Sequence, residues 1–505
     1  MVSAAPLKTS RLLPVLGLIL ALGLFFRCYG LGERNLWTDE AWVALAALEE
    51  HPAQVLQEGK STPPLYLWCV WAVAQLGDPR EALLRLPSCL FGVGTLVLFW
   101  LLARRLLSPG AGLLALALVA ISPRLVYYSK ELKQYSADAF FAVLALVWAE
   151  RLLQNQGQRG WLAFTLAMIF GLGFSHPLIF VLPAAAAVLW WELPATRGHV
   201  ALSFGSLALA FLGYYLLFFR YQVDPELVAY WQRGFPDLAS LPAFLRWLAG
   251  SWARYFGYFL GDWPRWLVGL GFLGLGWYNL GRSPHWRALL YWLGPLVLAL
   301  GAAFVHRYPF MAQAGGVRLM LYSAPLLYLV VGAGVMTAAA WLGEQKKIWL
   351  NVALAAGLLI WINPWTTWPE NFHPQANREE IHPLVDYLEA HLEPGDLVYV
   401  YYFAIYPFKF YYQGAPDQVI WGQSCHDQDL TLSPRRKFPP SRLWLIFSHF
   451  EDQRWIEQFS ERLLGDAWHQ VFDLSRPGAA LRCFVPRTKP AITGQLNVAP
   501  TPGPS

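Results

Sequence analysis

Charge is what this chain has least of. Only 14% of its 505 residues are Asp, Glu, Lys or Arg, against 56% hydrophobic and 16% aromatic, a balance that excludes a soluble enzyme and assigns the chain to a bilayer. No basic run would grip nucleic acid, and a net charge of +5 names no partner. Cysteine is scarce too. Cys28, Cys69 and Cys89 lie in or near apolar stretches, while Cys425 and Cys483 share the soluble part without metal spacing, which leaves a bridge between them open. Walker loop, zinc-ligand cluster and nucleophile elbow are all missing. So is any internal repeat, which removes support for a transporter built from inverted repeats.

What the chain has in abundance is apolar runs. Stretches nearly free of charge predict spans near 12–26, 86–103, 110–128, 134–149, 161–175, 177–191, 200–219, 266–281, 288–305, 319–342 and 348–363, about eleven in all. Lys8 and Arg11 precede the first run and no small-residue cleavage site separates it from Arg27, the layout of a retained signal anchor. With the N-terminus in the cytoplasm, alternation puts Arg104, Arg105, Arg151, Arg159, Arg197, Arg282, Arg287, Lys346 and Lys347 inside. Counting the shorter run 65–77 as a crossing would reverse all of them, so it reads as a helix lying in the outer interface. The 26 Trp and 23 Tyr suit helix ends anchored at the headgroups.

This predicts an all-α polytopic protein of the inner or plasma membrane with a small α/β domain outside it. The expected parts are a catalytic membrane module 1–220 with a long outer loop 27–85, and an outer aromatic loop 221–265 carrying one or two surface helices. A variable membrane module 266–364, an extracytoplasmic α/β domain 365–490 and a disordered tail 491–505 follow. Within the α/β part, IHPLVDYLEAHL, AIYPFKFYY and EDQRWIEQFSERLL read as helices, LVYVYY and RLWLIFSH as strands, with short strands to about 486.

The chemistry gathers on the outer side. Asp39 and Glu40 open an amphipathic helix in TDEAWVALAALEE; Thr38 or Asp39 can serve merely as its cap, yet a cap needs one acid and here there are two. As a general base, Asp39 would take the proton of an attacking acceptor hydroxyl, while Glu40 orients it, binds the acceptor, or helps hold a divalent cation, the one cofactor considered. Arg124, Lys130 and Lys133 in SPRLVYYSKELKQYSADAF, and Arg307 and Arg318 in VHRYPFMAQAGGVRLM, break the inside preference for basic residues. An anionic ligand such as a lipid phosphate would explain them, fixed cations stabilising it as a leaving group. The plain alternative, strongest for Arg124, is snorkelling to headgroups. Asp138, inside a span, should pair with Lys133 or Lys130. Pro63 and Pro64 fix the corner before the interfacial helix, proline suiting a helix start, and His176 reads as a turn residue.

The adjacent acids of a first outer loop, the PPLYL corner, RLPSCLFGVGTLVLFWLLARRL and SPRLVYYSKELKQYSADAF resemble the GT-C glycosyltransferases of the protein O-mannosyltransferase and aminoarabinose-transferase type, including the bacterial Rgt-like branch, over roughly residues 10–220. The resemblance implies a sugar donor carried on polyprenyl phosphate and transfer with inversion on the outer face to a hydroxyl of a lipid, glycan or protein. It carries Asp39 over as base and Glu40 as its companion, and places Glu131, Lys133 and Tyr135 in the family's S-x-E-x-R-x-Y pattern; Arg318 resembles a late arginine. The chain departs from it at Thr62, where many relatives have histidine, and at Lys133, which keeps the charge but not the bidentate fork of arginine. Rival readings are a flippase for a lipid-linked sugar and a non-catalytic assembly subunit.

Overall fold

A computed structural model describes residues 9–59, 61–78, 80–222, 231–311, 316–344, 354, 356–358, 361–363, 372, 379–423, 441–450 and 452–487. The chain divides into two compact units, one made of residues 1–34 and 42–376, the other of 35–41 and 377–505.

In the membrane unit each predicted run up to residue 342 falls on a helix. They are α1 (Thr9–Cys28), α5 (Glu81–Leu106), α6 (Pro109–Ile121) with α7 (Pro123–Ser129), α8 (Tyr135–Gln154), α9 (Gln158–Leu172), α10 (Leu178–Glu192), α11 (Arg197–Leu217), α13 (Arg265–Gly281), α14 (Arg287–Phe304), and a 3-10 turn Gly316–Ser323 leading into α15 (Ala324–Glu344). The run 348–363 lies mostly outside the described residues, as do Lys346, Lys347, Cys425 and the tail 491–505. Among the described residues four stretches are long and apolar enough to cross a membrane, Glu81–Leu106, Pro194–Tyr221, Arg287–Phe304 and Gly316–Gly343, and α6 with α7 makes a fifth if that bent pair is one span. Others of the expected runs form shorter helices: at about 1.5 Å per residue the 15-residue α9 and α10 reach about 22 Å, against a hydrocarbon core of about 30 Å. The surface helices expected around the spans are α2 (Thr38–Ala47), α3 (Pro52–Glu58), α4 (Pro64–Ala74) and α12 (Leu241–Leu260). Pro64 opens α4, as its fixed φ favours, and 11 residues are too few to span.

Three devices lock these helices. A Cβ on Gly276 of α13 or Gly334 of α15 would collide with the backbone carbonyl of Val330 or Phe272, so only glycine lets the two backbones touch. Near the other end of α8, the buried Glu150 accepts both arms of Arg287 (3.0 and 3.2 Å) and the Tyr291 hydroxyl (2.9 Å) of α14. The third is the 55° bend between α6 and α7. Pro123 has no N–H for the carbonyl of Val119, and the break continues past Ala120. Arg27 of α1, 1% exposed, donates to both carbonyls at 3.0 Å and to Gly23 O at 3.0 Å, completing hydrogen bonds the bend leaves open.

The C-terminal unit holds a five-stranded sheet in the order β2-β1-β3-β5-β4, from β1 (Leu397–Val400), β2 (Val419–Trp421), β3 (Leu443–Ser448), β4 (Trp468–Arg476) and β5 (Ala479–Pro486). β1 is parallel to β2 and β3, while β5 is antiparallel to β3 and β4. LVYV and LWLIFS are buried at every residue, as continuous apolar runs in a parallel sheet should be. Helices α16 (His382–His391), α17 (Ile405–Tyr411) and α18 (Gln453–Leu464) match the three read from sequence, and α18 buries Ile456, Phe459 and Leu463. The edge strand β2 was not expected, being only three residues. Cys483 is a buried free thiol.

Candidate active site

In the membrane unit the bend after Ser122 buries the whole following loop. Tyr127, Tyr128, Ser129, Lys130, Glu131, Lys133 and Gln134 are all buried, Glu131 completely. Gly92 of α5 gives the room, since a Cβ there would strike the Ser129 side chain. The Lys133 carbonyl accepts from Ser88 Oγ (3.1 Å), itself 2.7 Å from the Tyr66 hydroxyl of α4. Gln134 Nε2 reaches Ser61 O (3.5 Å) and Gln222 Nε2 donates to Thr62 O (2.7 Å), so the proline corner and the SKELKQY loop are tied by backbone carbonyls. Thr62 is fully buried.

The cations lie among aromatic rings. Lys133 Nζ is 5.8 Å from the centroid of Trp42, on α2 one turn after Asp39. Arg318, 9% exposed, stands 5.7 Å from the Tyr135 ring and 6.0 Å from Trp231. Tyr135 packs edge-on to Tyr128 (5.0 Å), whose hydroxyl is 2.6 Å from that of Tyr258, and Arg124 lies 4.4 Å over the Tyr258 ring. Rings thus connect Arg318 to Arg124. Arg124 and Arg265 line a cleft of about 90 Å³, partly open to solvent, between the α6–α7 bend and the end of α12. Lys130 faces elsewhere: its ammonium donates to Tyr29 O (3.3 Å) and its carbonyl accepts from Arg34 (2.6 Å). It lies in the turn between α7 and α8, outside the apolar spans, and burial, with Arg34 second, lowers its pKa to about 8.

Two expectations need correction. Asp138 forms no ion pair with Lys133 or Lys130: it is 4% exposed, its neighbour is the Ser175 hydroxyl, and Tyr308 and Tyr322 stand close. It sits in the first turn of α8 with its carboxylate beside Ser175, in the turn between α9 and α10. Arg307 is exposed, and its side chain makes no hydrogen bond or ion pair among the described residues, so it does not join the ring-lined cations. His176 occupies the turn between α9 and α10, edge-on to Phe219 at 4.6 Å.

Asp39 and Glu40 fall in the C-terminal unit, in the segment 35–41. Glu40 is completely buried and Asp39 partly so. The Ala41 amide bonds to Trp37 O at 2.8 Å, which makes Trp37 the N-cap and puts Thr38, Asp39 and Glu40 in the first turn of α2. Thr38 does not cap the helix with its hydroxyl, which lies 2.6 Å from Phe403 O. The partner of the first amide is Glu379. Sequence reading missed that residue, together with Ser448 and His449 beside it; the paired acids of NREEIHP were the only signal. It also missed the rings at Trp42, Tyr128, Trp231 and Tyr258, which aromatic abundance concealed. Among the described residues no group of three or more His, Cys, Asp or Glu side chains could hold a metal ion.

The chain combines a largely helical, apolar unit, with buried cations on aromatic faces, and a small sheet domain, and known proteins share parts of this pattern. Residues 61–219 match the family model described as dolichyl-phosphate-mannose-protein mannosyltransferase. Among solved structures, ArnT from Cupriavidus metallidurans in the apo state is similar with a TM-score of 0.52 at 13% identity, over 94% of this chain and 98% of that one. The same protein bound to undecaprenyl phosphate gives a TM-score of 0.51 at 13% identity over the same shares. No curated protein matches by sequence. At such identity the likeness shows the fold, and the fold is that of the GT-C membrane glycosyltransferases.

Proposed function

We propose that the protein transfers one sugar, a hexose or pentose, from a polyprenyl-phosphate donor to an acceptor hydroxyl on the extracytoplasmic face of the cell membrane, with Asp39 as general base. The observation that carries this is a set of buried basic side chains, two of them among rings: Lys133 and Arg318 are 6% and 9% exposed, and Lys130, on Tyr29 O, is 1% exposed, although headgroup water would solvate them at less cost. Cations kept in such places suit a phosphate whose charge grows as the sugar leaves. Lys133 and Arg318 are the proposed donor contacts, and the Arg124 cleft is the proposed seat of the lipid end; Arg307, being exposed, drops out. The ArnT structure holding undecaprenyl phosphate, and the mannosyltransferase model over 61–219, support this donor class. Glu131 and Tyr135 line the loop beside the cations, and Glu40 is the companion of the base.

The test measures polyprenyl phosphate released from labelled polyprenyl-phosphate sugars by membranes carrying the wild type or Asp39→Asn, with cell extract as acceptor source. Release falling at least about 100-fold in the variant is expected, the lower end of what a general base contributes. Equal release by both would remove Asp39 from the chemistry, and no release by either would favour a flippase.

A further inference from the structure

Residues 35–41 belong to the C-terminal unit, and a buried carboxylate meets them there. Glu379, its side chain 4% exposed, accepts at Oε2 from the Thr38 amide (3.3 Å) and the Ser448 hydroxyl (3.0 Å), while Oε1 lies 2.7 Å from His449 Nδ1. Hydroxyl protons are single, so the shorter contacts decide their direction. Thr38 Oγ1 donates to Phe403 O at 2.6 Å rather than to Glu379 at 3.2 Å, and Ser448 donates to Glu379 rather than to Phe403 O at 3.4 Å. Around this centre Leu36 N donates to the Tyr411 hydroxyl (2.8 Å), and Trp37 stacks on His449 at 6.2 Å. His449 holds φ at +55°, a left-handed conformation that a non-glycine residue keeps only where its surroundings require it. The strain falls on the residue that pins Glu379.

The N-cap position of α2 is Trp37, whose side chain has no acceptor to offer the orphan amides of the first turn. Glu379 supplies it from 341 residues away, a negative group at the positive end of the helix dipole. Asp39 is the next residue. Fixing the Thr38 amide fixes the rotation of the first turn, and that rotation aims the carboxylates at positions 39 and 40. From this geometry we infer that Glu379 is a positioning residue for the reaction: held by His449 and Ser448, it sets the direction of the Asp39 carboxylate through the Thr38 amide. The inference rests on the reading of Asp39 as base.

The experiment compares full-length wild type, Glu379→Ala, Glu379→Gln and Asp39→Asn in the donor-release assay, with kcat, donor KM and the pH–rate profile. Glu379→Ala should lower kcat about tenfold or more with donor KM unchanged, and Glu379→Gln should recover most of it, because the amide oxygen still accepts from Thr38. In Glu379→Gln the acid limb of the profile should also move to lower pH, since a like charge near Asp39 is gone. Wild-type kcat in Glu379→Ala, or an unmoved acid limb in Glu379→Gln, would overturn the inference while an inactive Asp39→Asn keeps the base reading standing. A fully active Asp39→Asn would instead remove the base reading and this inference together. Should Glu379→Ala fail to fold, the limb position in Glu379→Gln still decides.

Discussion

Replacing Arg27 with methionine keeps the apolar stem and removes the three donated hydrogen bonds. Gly23 O is four residues back on the same helix and keeps its own helical amide, so its loss is small. Val119 O and Ala120 O are different, because the bend before Pro123 leaves them to Arg27. Two buried acceptors without partners cost about 1–3 kcal/mol each, so Arg27→Met should destabilise the membrane unit by about 2–6 kcal/mol. The assay is unfolding in mixed micelles followed by far-UV circular dichroism. Pro123→Ala supplies an N–H for Val119 O, which makes the carbonyl independent of Arg27. In the double variant about half of the Arg27→Met loss should return, a coupling of about 1–3 kcal/mol. Additive losses, within about 0.5 kcal/mol, would refute the claim that the arginine completes the bend.

Two further outcomes follow from the packing and from the loop. Gly334→Ala sets a methyl against the Phe272 carbonyl, so α13 and α15 must separate; a loss above about 2 kcal/mol in the same unfolding assay is expected, and a neutral result would deny the contact. Lys130 should lose its charge as pH rises through about 8, so donor KM should rise between pH 7 and 9 if this ammonium helps attract the phosphate. Stability should move the other way: between about 8 and the unfolded value of 10.5 the unfolded chain binds more protons, so unfolding becomes harder as pH rises. Lys130→Arg should flatten both trends, since arginine stays charged, and a KM trend that survives it would assign the titration elsewhere.

The helices were legible because an apolar run long enough for a bilayer has few other conformations open to it. The sheet domain was legible from alternation, and β2 was not, because VIW is too short to show a period. Spacing along the chain misled at Asp138, where proximity to Lys133 in sequence suggested a pair, whereas the carboxylate lies beside Ser175. Arg307 looked like a partner of Arg318 from the same loop, yet it is exposed while Arg318 sits among rings. Glu379 was out of reach for another reason: its meaning lies in a contact with Thr38 from which no local pattern follows. The two acids stood out in the sequence because two carboxylates between an aromatic and an apolar helix exceed what capping needs, and the role given to them is a proposal.

The salt bridge of Glu150 with Arg287 also has a meaning in time. The two residues are 137 positions apart, so during synthesis α8 enters the membrane long before α14 exists. Until then Glu150 stands at the end of α8 with water as its only good solvent, which keeps that end at the surface. When Arg287 and Tyr291 arrive they take over the carboxylate and draw the late helix against the early one.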